Sequence, residues 1–140
     1  MSEERIAKHI YQFVEAELHE YKTYKKLIAE YDAQISLKGS LGADITGRFA
    51  QNKTSDSTSS EAIRMMANYS RICRMMDICR CIEDVLEQLD EEEYKMTEML
   101  YFKGWYTDYG VIMEMHIPRR SFYRHKKRII RQFALRMRLV

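Results

Sequence analysis

Apolar side chains recur at steps of three and four residues along two long stretches of the chain, which is the spacing of one face of an α-helix. The first stretch runs from about Ser2 to Ile35, with apolar positions at Ile6, Ile10, Phe13, Val14, Leu18, Tyr21, Tyr24, Ile28, Tyr31 and Ile35. The second runs from Ser60 and Glu61 to Leu89, with Met66, Tyr69, Met76, Cys79, Ile82 and Leu86 in phase. This pattern predicts an all-α fold built on two long helices.

The first apolar stripe contains no proline or glycine and must be covered by another surface. Two partners are open: the second long helix of the same chain, or a second copy in a coiled-coil-like dimer seam. Five of the ten methionines lie between residues 65 and 96. A methionine-rich stripe of this kind is typical of an adaptable core or of a subunit interface.

The helical pattern is interrupted between residues 38 and 60. This segment holds Gly39, Gly42 and Gly47 and ends in a run of Ser, Thr, Asn and Asp. Polar segments without periodicity are typical of connectors, so we predict a flexible linker here. The chain is therefore divided into an N-terminal helix (1–37), a linker (38–60), a middle helix (61–89) and a C-terminal domain (90–140).

The C-terminal domain opens with a capping box. In Asp90-Glu-Glu-Glu93, the Asp90 side chain is expected to accept a hydrogen bond from the Glu93 amide and to start a helix that continues to about Phe102. Gly104 supplies the left-handed conformation that closes such a helix. Trp105 follows, and we interpret it as a core residue rather than one that stacks on a base.

The last part of the chain has the pattern of a helix-turn-helix. A short helix is predicted from about Thr107 to Met115, then a turn around Pro118, then a second helix from Arg119. The apolar side of the second helix consists of Phe122, Ile129, Ile130 and Phe133. The opposite side consists of Arg119, Arg120, Tyr123, Arg124 and Lys127. Such a side is what the major groove of DNA would meet.

Charge strengthens this interpretation. The formal net charge is only +2, but residues 116–140 hold nine Arg or Lys and no acidic residue, so the rest of the chain is acidic. A basic end on an acidic body favours a polyanionic partner. We expect Arg119, Arg120 and Arg124 to reach base edges of double-stranded DNA, and Tyr123 to meet a thymine methyl group or a phosphate. Phosphate contacts are expected from Lys126, Lys127, Arg128 and Arg131.

Catalytic and cofactor motifs are missing from the pattern. The four histidines are scattered, and we find neither a glycine-rich phosphate loop nor a nucleophile motif. Thiols two apart on a helix face different ways, so Cys79 and Cys81 are not expected to share a metal. We expect Cys73, Cys79 and Cys81 to be reduced and mostly buried. We therefore expect no enzyme activity, no cofactor and no metal. Without an apolar stretch of membrane length or a secretory signal, a cytoplasmic protein is expected.

Several segments of the chain resemble those of known protein families. The run from Leu89 to Phe133 resembles the fourth conserved region of bacterial sigma factors. The whole chain is similar to phage transcriptional regulators of the ArpU and RinA type, through Glu20-Tyr-Lys-Thr-Tyr-Lys-Lys-Leu, Leu100-Tyr-Phe-Lys-Gly, Ser121-Phe-Tyr-Arg-His-Lys-Lys127 and Phe133-Ala-Leu135. Only about the last 45 residues of this resemblance are specific.

The chain departs from those patterns at two positions. Pro118 stands where such turns often have serine, which exchanges a side-chain cap for a rigid turn. Lys126 stands where sigma-like helices prefer an apolar residue. We expect Lys126 to bury its aliphatic stem and to keep its ammonium group hydrated.

The resemblance implies a DNA-binding activator of phage late genes that works with the host RNA polymerase in the bacterial cytoplasm. A homodimer is expected, because a single reading helix covers few base pairs. Two alternatives stay open. One is a DNA-recognition component of phage packaging similar to small terminase subunits, and the other is a module that binds RNA polymerase through its acidic helices.

Overall fold

A computed structural model describes residues 5–49, 55–104 and 106–140, with the side chains of 38–49 and 55–59 excluded. The predicted all-α fold is confirmed, and the described residues form no strand. The helices are α1 (Lys8–Phe49), α2 (Ser55–Gln88), α3 (Glu91–Thr97), α4 (Asp108–Met115) and α5 (Arg119–Arg136), and a π-helical turn (Glu98–Phe102) directly follows α3.

Both long helices extend further into the predicted linker than the sequence pattern indicated. The prediction of an irregular segment over 38–60 is wrong in extent, because α1 continues to Phe49 and α2 begins at Ser55. Glycine lowers helix propensity by about 1 kcal/mol but keeps its amide donor, so Gly39, Gly42 and Gly47 weaken a helix without ending it. Residues 50–54, and Ser2 at the predicted start of the first helix, lie outside the described residues. The flexibility of the connection stays a prediction.

The chain divides into two compact units. The core unit comprises Met1–Lys22 and Ile78–Val140, and the hairpin unit comprises Thr23–Asp77. Helices α1 and α2 therefore each contribute residues to both units. Every residue of the candidate interface belongs to the core unit.

The core unit is organised around one buried apolar cluster. Its fully or almost fully buried members are Val14, Leu18, Ile82, Val85, Met96, Met99, Leu100, Tyr101, Val111, Phe122, Ile129, Ile130, Phe133 and Ala134. The N-terminal part of α1 thus packs against α2 and the C-terminal helices of its own chain. In this unit the apolar stripe of α1 is therefore covered within the chain, which agrees with the first of the two interpretations of the sequence.

The capping box begins α3 as predicted. The Asp90 carboxylate accepts a hydrogen bond from the Glu93 amide at 2.7 Å. The hydroxyl group of Thr97 donates to the Glu93 carbonyl at 2.8 Å, a side-chain bond that commonly accompanies bending of a helix, and the π-helical turn begins at the next residue. Gly104, at φ +70°, ends this segment. Trp105, predicted to be a core residue, lies outside the described residues.

Candidate nucleic-acid interface

A short turn joins α4 to α5, and the residues that cap the two helices can be identified. The hydroxyl group of Thr107 accepts a hydrogen bond from the Gly110 amide at 3.1 Å and begins α4. His116 ends α4 in the left-handed conformation, at φ 54°. Pro118 then directly precedes α5, which begins at Arg119 as predicted, and the Pro118 carbonyl accepts a hydrogen bond from the Phe122 amide at 2.9 Å. These caps fix where α5 begins relative to α4.

One side of α5 forms part of the hydrophobic core, as its apolar periodicity predicted. Phe122, Ile129, Ile130 and Phe133 are at most 1 % exposed. Val111 of α4 belongs to the same buried cluster. Because Phe122 lies in the first turn of α5 and Phe133 near its last, the helix is anchored along most of its length. The orientation of its other side is set by the core.

The other side of α5 presents basic residues to solvent. Those with exposed side chains are Arg119, Arg120, Arg124, Lys127 and Arg128, while Tyr123 and Arg131 are half-buried. Two contacts organise the first turns: the Arg119 guanidinium lies 5.7 Å from the Tyr123 ring centroid, and Arg124 Nη2 lies 3.5 Å from Ser121 Oγ. Within the described ranges, Arg119, Arg120 and Lys127 form no ion pair. Their charges therefore remain available for an anionic partner.

Lys126 departs from the prediction. It is only 9 % exposed, and its Nζ lies 3.1 Å from Asp108 Oδ1 and 3.5 Å from Glu15 Oε2. The expectation of a hydrated ammonium group that contacts phosphate is therefore wrong. Lys126 follows Phe122 by four residues and precedes Ile129 by three, so it lies on the buried side of α5 and needs an acidic partner there.

The ion pairs of Lys126 belong to a wider polar network inside the core unit. The Tyr101 hydroxyl donates to Glu15 Oε2 at 2.9 Å, so Glu15 contacts both Tyr101 and Lys126. Burial, reinforced by the charge of Glu15, raises the pKa of Tyr101. Burial also raises the pKa of Tyr11 to about 12, despite the opposing effect of Lys126. The network joins α1, the π-helical turn, α4 and α5.

A second contact holds the C-terminal end of α5. Arg136 Nη2 and Nε lie 2.6 Å and 3.1 Å from Asp84 Oδ2 of α2. Cys81 Sγ lies 3.8 Å from the Arg136 carbonyl oxygen. Arg136 is therefore an anchor for α5, and we do not assign it to the interface.

Arg128 lies close to the acidic start of α3. Hydrogen bonding from the Glu93 amide, helped by His125 and Arg128, lowers the pKa of Asp90. Burial and the neighbouring Asp90 raise the pKa of Glu93, while Arg128 and His125 oppose that rise. The Nδ1 atom of His125 is buried. The charge of Arg128 is partly offset by these carboxylates.

The sequence patterns did not indicate Glu15, Tyr101 or Asp108. One signal was present: Lys126 occupies an apolar position of α5 and therefore required a buried carboxylate. Periodicity could not say which of the 21 acidic residues would supply it.

No group of three or more His, Cys, Asp or Glu in the described parts of the chain is placed to hold a metal ion. Cys73, Cys79 and Cys81 are thiols, of which Cys79 is buried and the other two are half-buried. Across residues 5–49, 55–104 and 106–140, none of the helices combines the length and apolar character required to cross a membrane.

Comparison with known proteins adds no relative: no protein-family model matches the chain, and neither the curated proteins nor the solved structures include a match.

Proposed function

We propose that the core unit binds double-stranded DNA as a sigma-like helix-turn-helix, with α4 as the supporting helix and α5 as the reading helix. One observation carries this proposal: the solvent side of α5 is basic, while its opposite side is locked into the hydrophobic core. A helix held in this way presents its side chains as a fixed set, which recognition of a groove requires.

The first turn of α5 supports an anionic partner. Arg119 and Arg120 lie at the positive end of the helix dipole, and this turn contains no acidic residue. Cations at that end are unfavourable by a few tenths of a kcal/mol to about 1 kcal/mol in an isolated helix. A phosphate group would reverse this effect, because it attracts both the arginines and the unpaired amides of the first turn.

The basic side chains divide into two roles. Arg119, Arg120 and Arg124 are assigned to base edges, where a guanidinium group can donate two hydrogen bonds to guanine. Tyr123, held by Arg119, is assigned to a thymine methyl group or a phosphate. The phosphate contacts are assigned to Lys127, Arg128 and Arg131, with Arg128 the weakest because of the nearby Asp90 and Glu93.

The resemblance to ArpU- and RinA-type regulators extends this proposal to a biological role. We propose a regulator of phage late transcription that binds promoter DNA in the host cytoplasm and acts with the host RNA polymerase. We propose no enzyme activity and no cofactor. The basic side of α5 favours a DNA-binding role over a module that binds polymerase through acidic helices, since such a module would not need it. The packaging component would also bind DNA, and a ring-shaped oligomer would favour it.

The proposal is tested by selecting duplexes from a random library and titrating the selected duplex and a scrambled control at two salt concentrations. Arg120→Ala and Arg124→Ala are compared with Arg80→Ala, which removes an exposed arginine of α2. We expect each α5 variant to lose about 1 to 3 kcal/mol of binding free energy for the selected duplex. Arg80→Ala should bind like the native protein.

Two results would count against this assignment. Equal, salt-sensitive binding to both duplexes would reduce α5 to a phosphate-binding helix without base recognition. Loss of affinity in Arg80→Ala equal to that in the α5 variants would move the interface away from α5.

A further inference from the structure

The hairpin unit leaves several large apolar side chains exposed. Seven of them in the described residues are between 40 % and 71 % exposed, and five of the seven lie along one side of the unit: Ile35, Met65, Met66, Tyr69 and Met76. Together with the half-buried Ile28, Tyr31 and Cys73, we call this set the apolar face. Its members come from both α1 and α2.

Helix geometry places the α2 members together. A groove of about 330 Å³ between the two helices is lined on α2 by Met65, Asn68, Arg71, Ile72 and Met75, so these residues mark the side that faces α1. At about 100° per residue, Met66, Tyr69, Cys73 and Met76 lie to one flank of that side. Arg74 lies on the opposite flank.

The α1 members lie on the same side of the unit. The groove is lined on α1 by Leu27, Glu30, Tyr31, Gln34 and Ile35. Around the axis of α1, one flank of this lining carries Ile28, Tyr31 and Ile35. The other flank carries Lys26 and Glu30. A hydrogen bond with Cys73 is the main reason that the pKa of Tyr69 is raised, and nearby Tyr31 makes the smallest contribution. Tyr31 and Tyr69 are therefore neighbours, and the two apolar flanks form one surface.

The size of the apolar face fits a partner protein surface. Taking roughly 200 Å² for a fully exposed large side chain, the eight residues leave on the order of 650 Å² exposed. This exceeds the largest apolar patch of a typical monomer, which is about 300 to 600 Å². Two such faces together would bury about 1,300 Å², within the range of roughly 1,200 to 2,000 Å² for stable interfaces.

The composition of the apolar face favours a second copy of this chain. In a two-fold symmetric contact each residue near the axis meets its own counterpart, so charged residues there would repel. On this flank of α2, every position from Met65 to Met76 is occupied by an uncharged residue. Its methionine and tyrosine side chains are able to adapt to one another across such an axis.

We propose that two copies of the protein associate through the apolar faces of their hairpin units and form a four-helix bundle. Each hairpin then gains the second layer that a pair of helices lacks. The proposal does not depend on DNA binding, because no residue of α5 belongs to the apolar face. It assigns oligomerisation to residues 28–76 and to no residue of α5.

The test is sedimentation of the full chain without DNA, over a range of concentrations. The variant Met66→Glu with Tyr69→Glu adds two negative charges to the apolar face. Its matched control, Lys26→Gln with Arg74→Gln, makes the same change in net charge on the opposite flank of the unit. We expect the native protein and the control to be dimers and the face variant to be a monomer, with a Kd raised at least tenfold.

Hydrogen exchange of the native protein at low and high concentration keeps the test independent of any variant. Amides of residues 60–77 should become better protected as dimers form, while those of α5 should not change. A native monomer at about 100 µM, where a dimer with a micromolar Kd would be almost fully formed, overturns the proposal. A ring of more than two copies, or a dimer broken by the control but not by the face variant, also overturns it.

Discussion

At the scale of single residues, two adjacent lysines of α5 have opposite environments. Lys126 is buried between Asp108 and Glu15, whereas Lys127 is exposed. Burial alone would lower the pKa of Lys126, but Tyr11, Asp108 and Glu15 outweigh it and raise that pKa above its usual value. One lysine therefore stabilises the fold, and the other is available to a ligand. The amino-acid composition does not distinguish these two lysines.

The same substitution at each lysine should separate stability from binding. Lys126→Met leaves Asp108 and Glu15 without their cation, and we expect the free energy of unfolding to fall by roughly 1 to 3 kcal/mol. Lys127→Met should change it by less than about 0.5 kcal/mol and weaken DNA binding instead. Urea unfolding and DNA titration of both variants test this. Equal loss of stability in the two variants would contradict the assignment.

At the scale of elements, the segment between α3 and α5 contains two glycines with different backbone conformations. Gly104 adopts φ +70°, a conformation that other residues enter at a cost. Gly110 lies in the first turn of α4, where a Cβ atom would be 3.4 Å from Thr107 Oγ1 and 3.6 Å from Tyr106 Cδ1, both ordinary contacts. Only the first position requires glycine.

Alanine at these two glycines should therefore have opposite effects. Gly104→Ala has open space for its Cβ atom but retains the left-handed backbone, so we expect a loss of about 1 to 2 kcal/mol in the free energy of unfolding. Gly110→Ala should leave stability unchanged or raise it by up to about 1 kcal/mol, because alanine favours the helix. Thermal unfolding monitored by circular dichroism distinguishes them. A more stable Gly104→Ala protein would exclude the role given to Gly104.

At the scale of the whole molecule, buried hydroxyl groups connect parts of the chain that are far apart in sequence. Tyr101 donates to Glu15, and Tyr21 donates to Glu83 Oε1 at 3.2 Å. Burial, followed by the charge of Glu83, raises the pKa of Tyr21 from 10.0 to about 12. Burial likewise raises the pKa values of Tyr11 and Tyr101. Folding of the core unit thus favours the protonated form of all three tyrosines.

The linked prediction is a loss of stability at alkaline pH. A group with a higher pKa in the folded protein contributes stability that is complete below its unfolded pKa and is lost as pH rises through its folded pKa. For Tyr11 and Tyr21 this window lies between pH 10.0 and about 12. The raised pKa of Lys126 acts in the same direction. The urea midpoint should therefore fall steeply above pH 10.

The variant Tyr101→Phe tests the contribution of the buried hydroxyl group. We expect it to cost about 1 kcal/mol at neutral pH, because Glu15 loses a hydrogen bond. The alkaline fall of the urea midpoint should become shallower, because one titrating group is removed. Tyr109→Phe, at a side chain that is 71 % exposed, is the control and should follow the native curve. An unchanged slope in Tyr101→Phe would argue against this linkage.

Features that depend on residues close together in the sequence could be predicted from the sequence alone. Helical periodicity identified the buried side of α5 through Phe122 and Phe133, and the Asp90 cap followed from a spacing of three residues. Hydrogen bonds within a helix and packing of one face are encoded over a few residues, so a single sequence displays them. The extent of α1 beyond residue 37 was missed, because glycine weakens a helix without breaking it.

Contacts between side chains that are far apart in the sequence became known only from the tertiary structure. Periodicity placed Lys126 near the core but could not select Asp108 and Glu15, which lie 18 and 111 residues away in sequence. It also left open whether the stripe of α1 is covered inside the chain, as Val14 and Leu18 are, or exposed, as Ile35 is. Both outcomes occur on one helix, because the packing partner changes along its length while the apolar spacing does not.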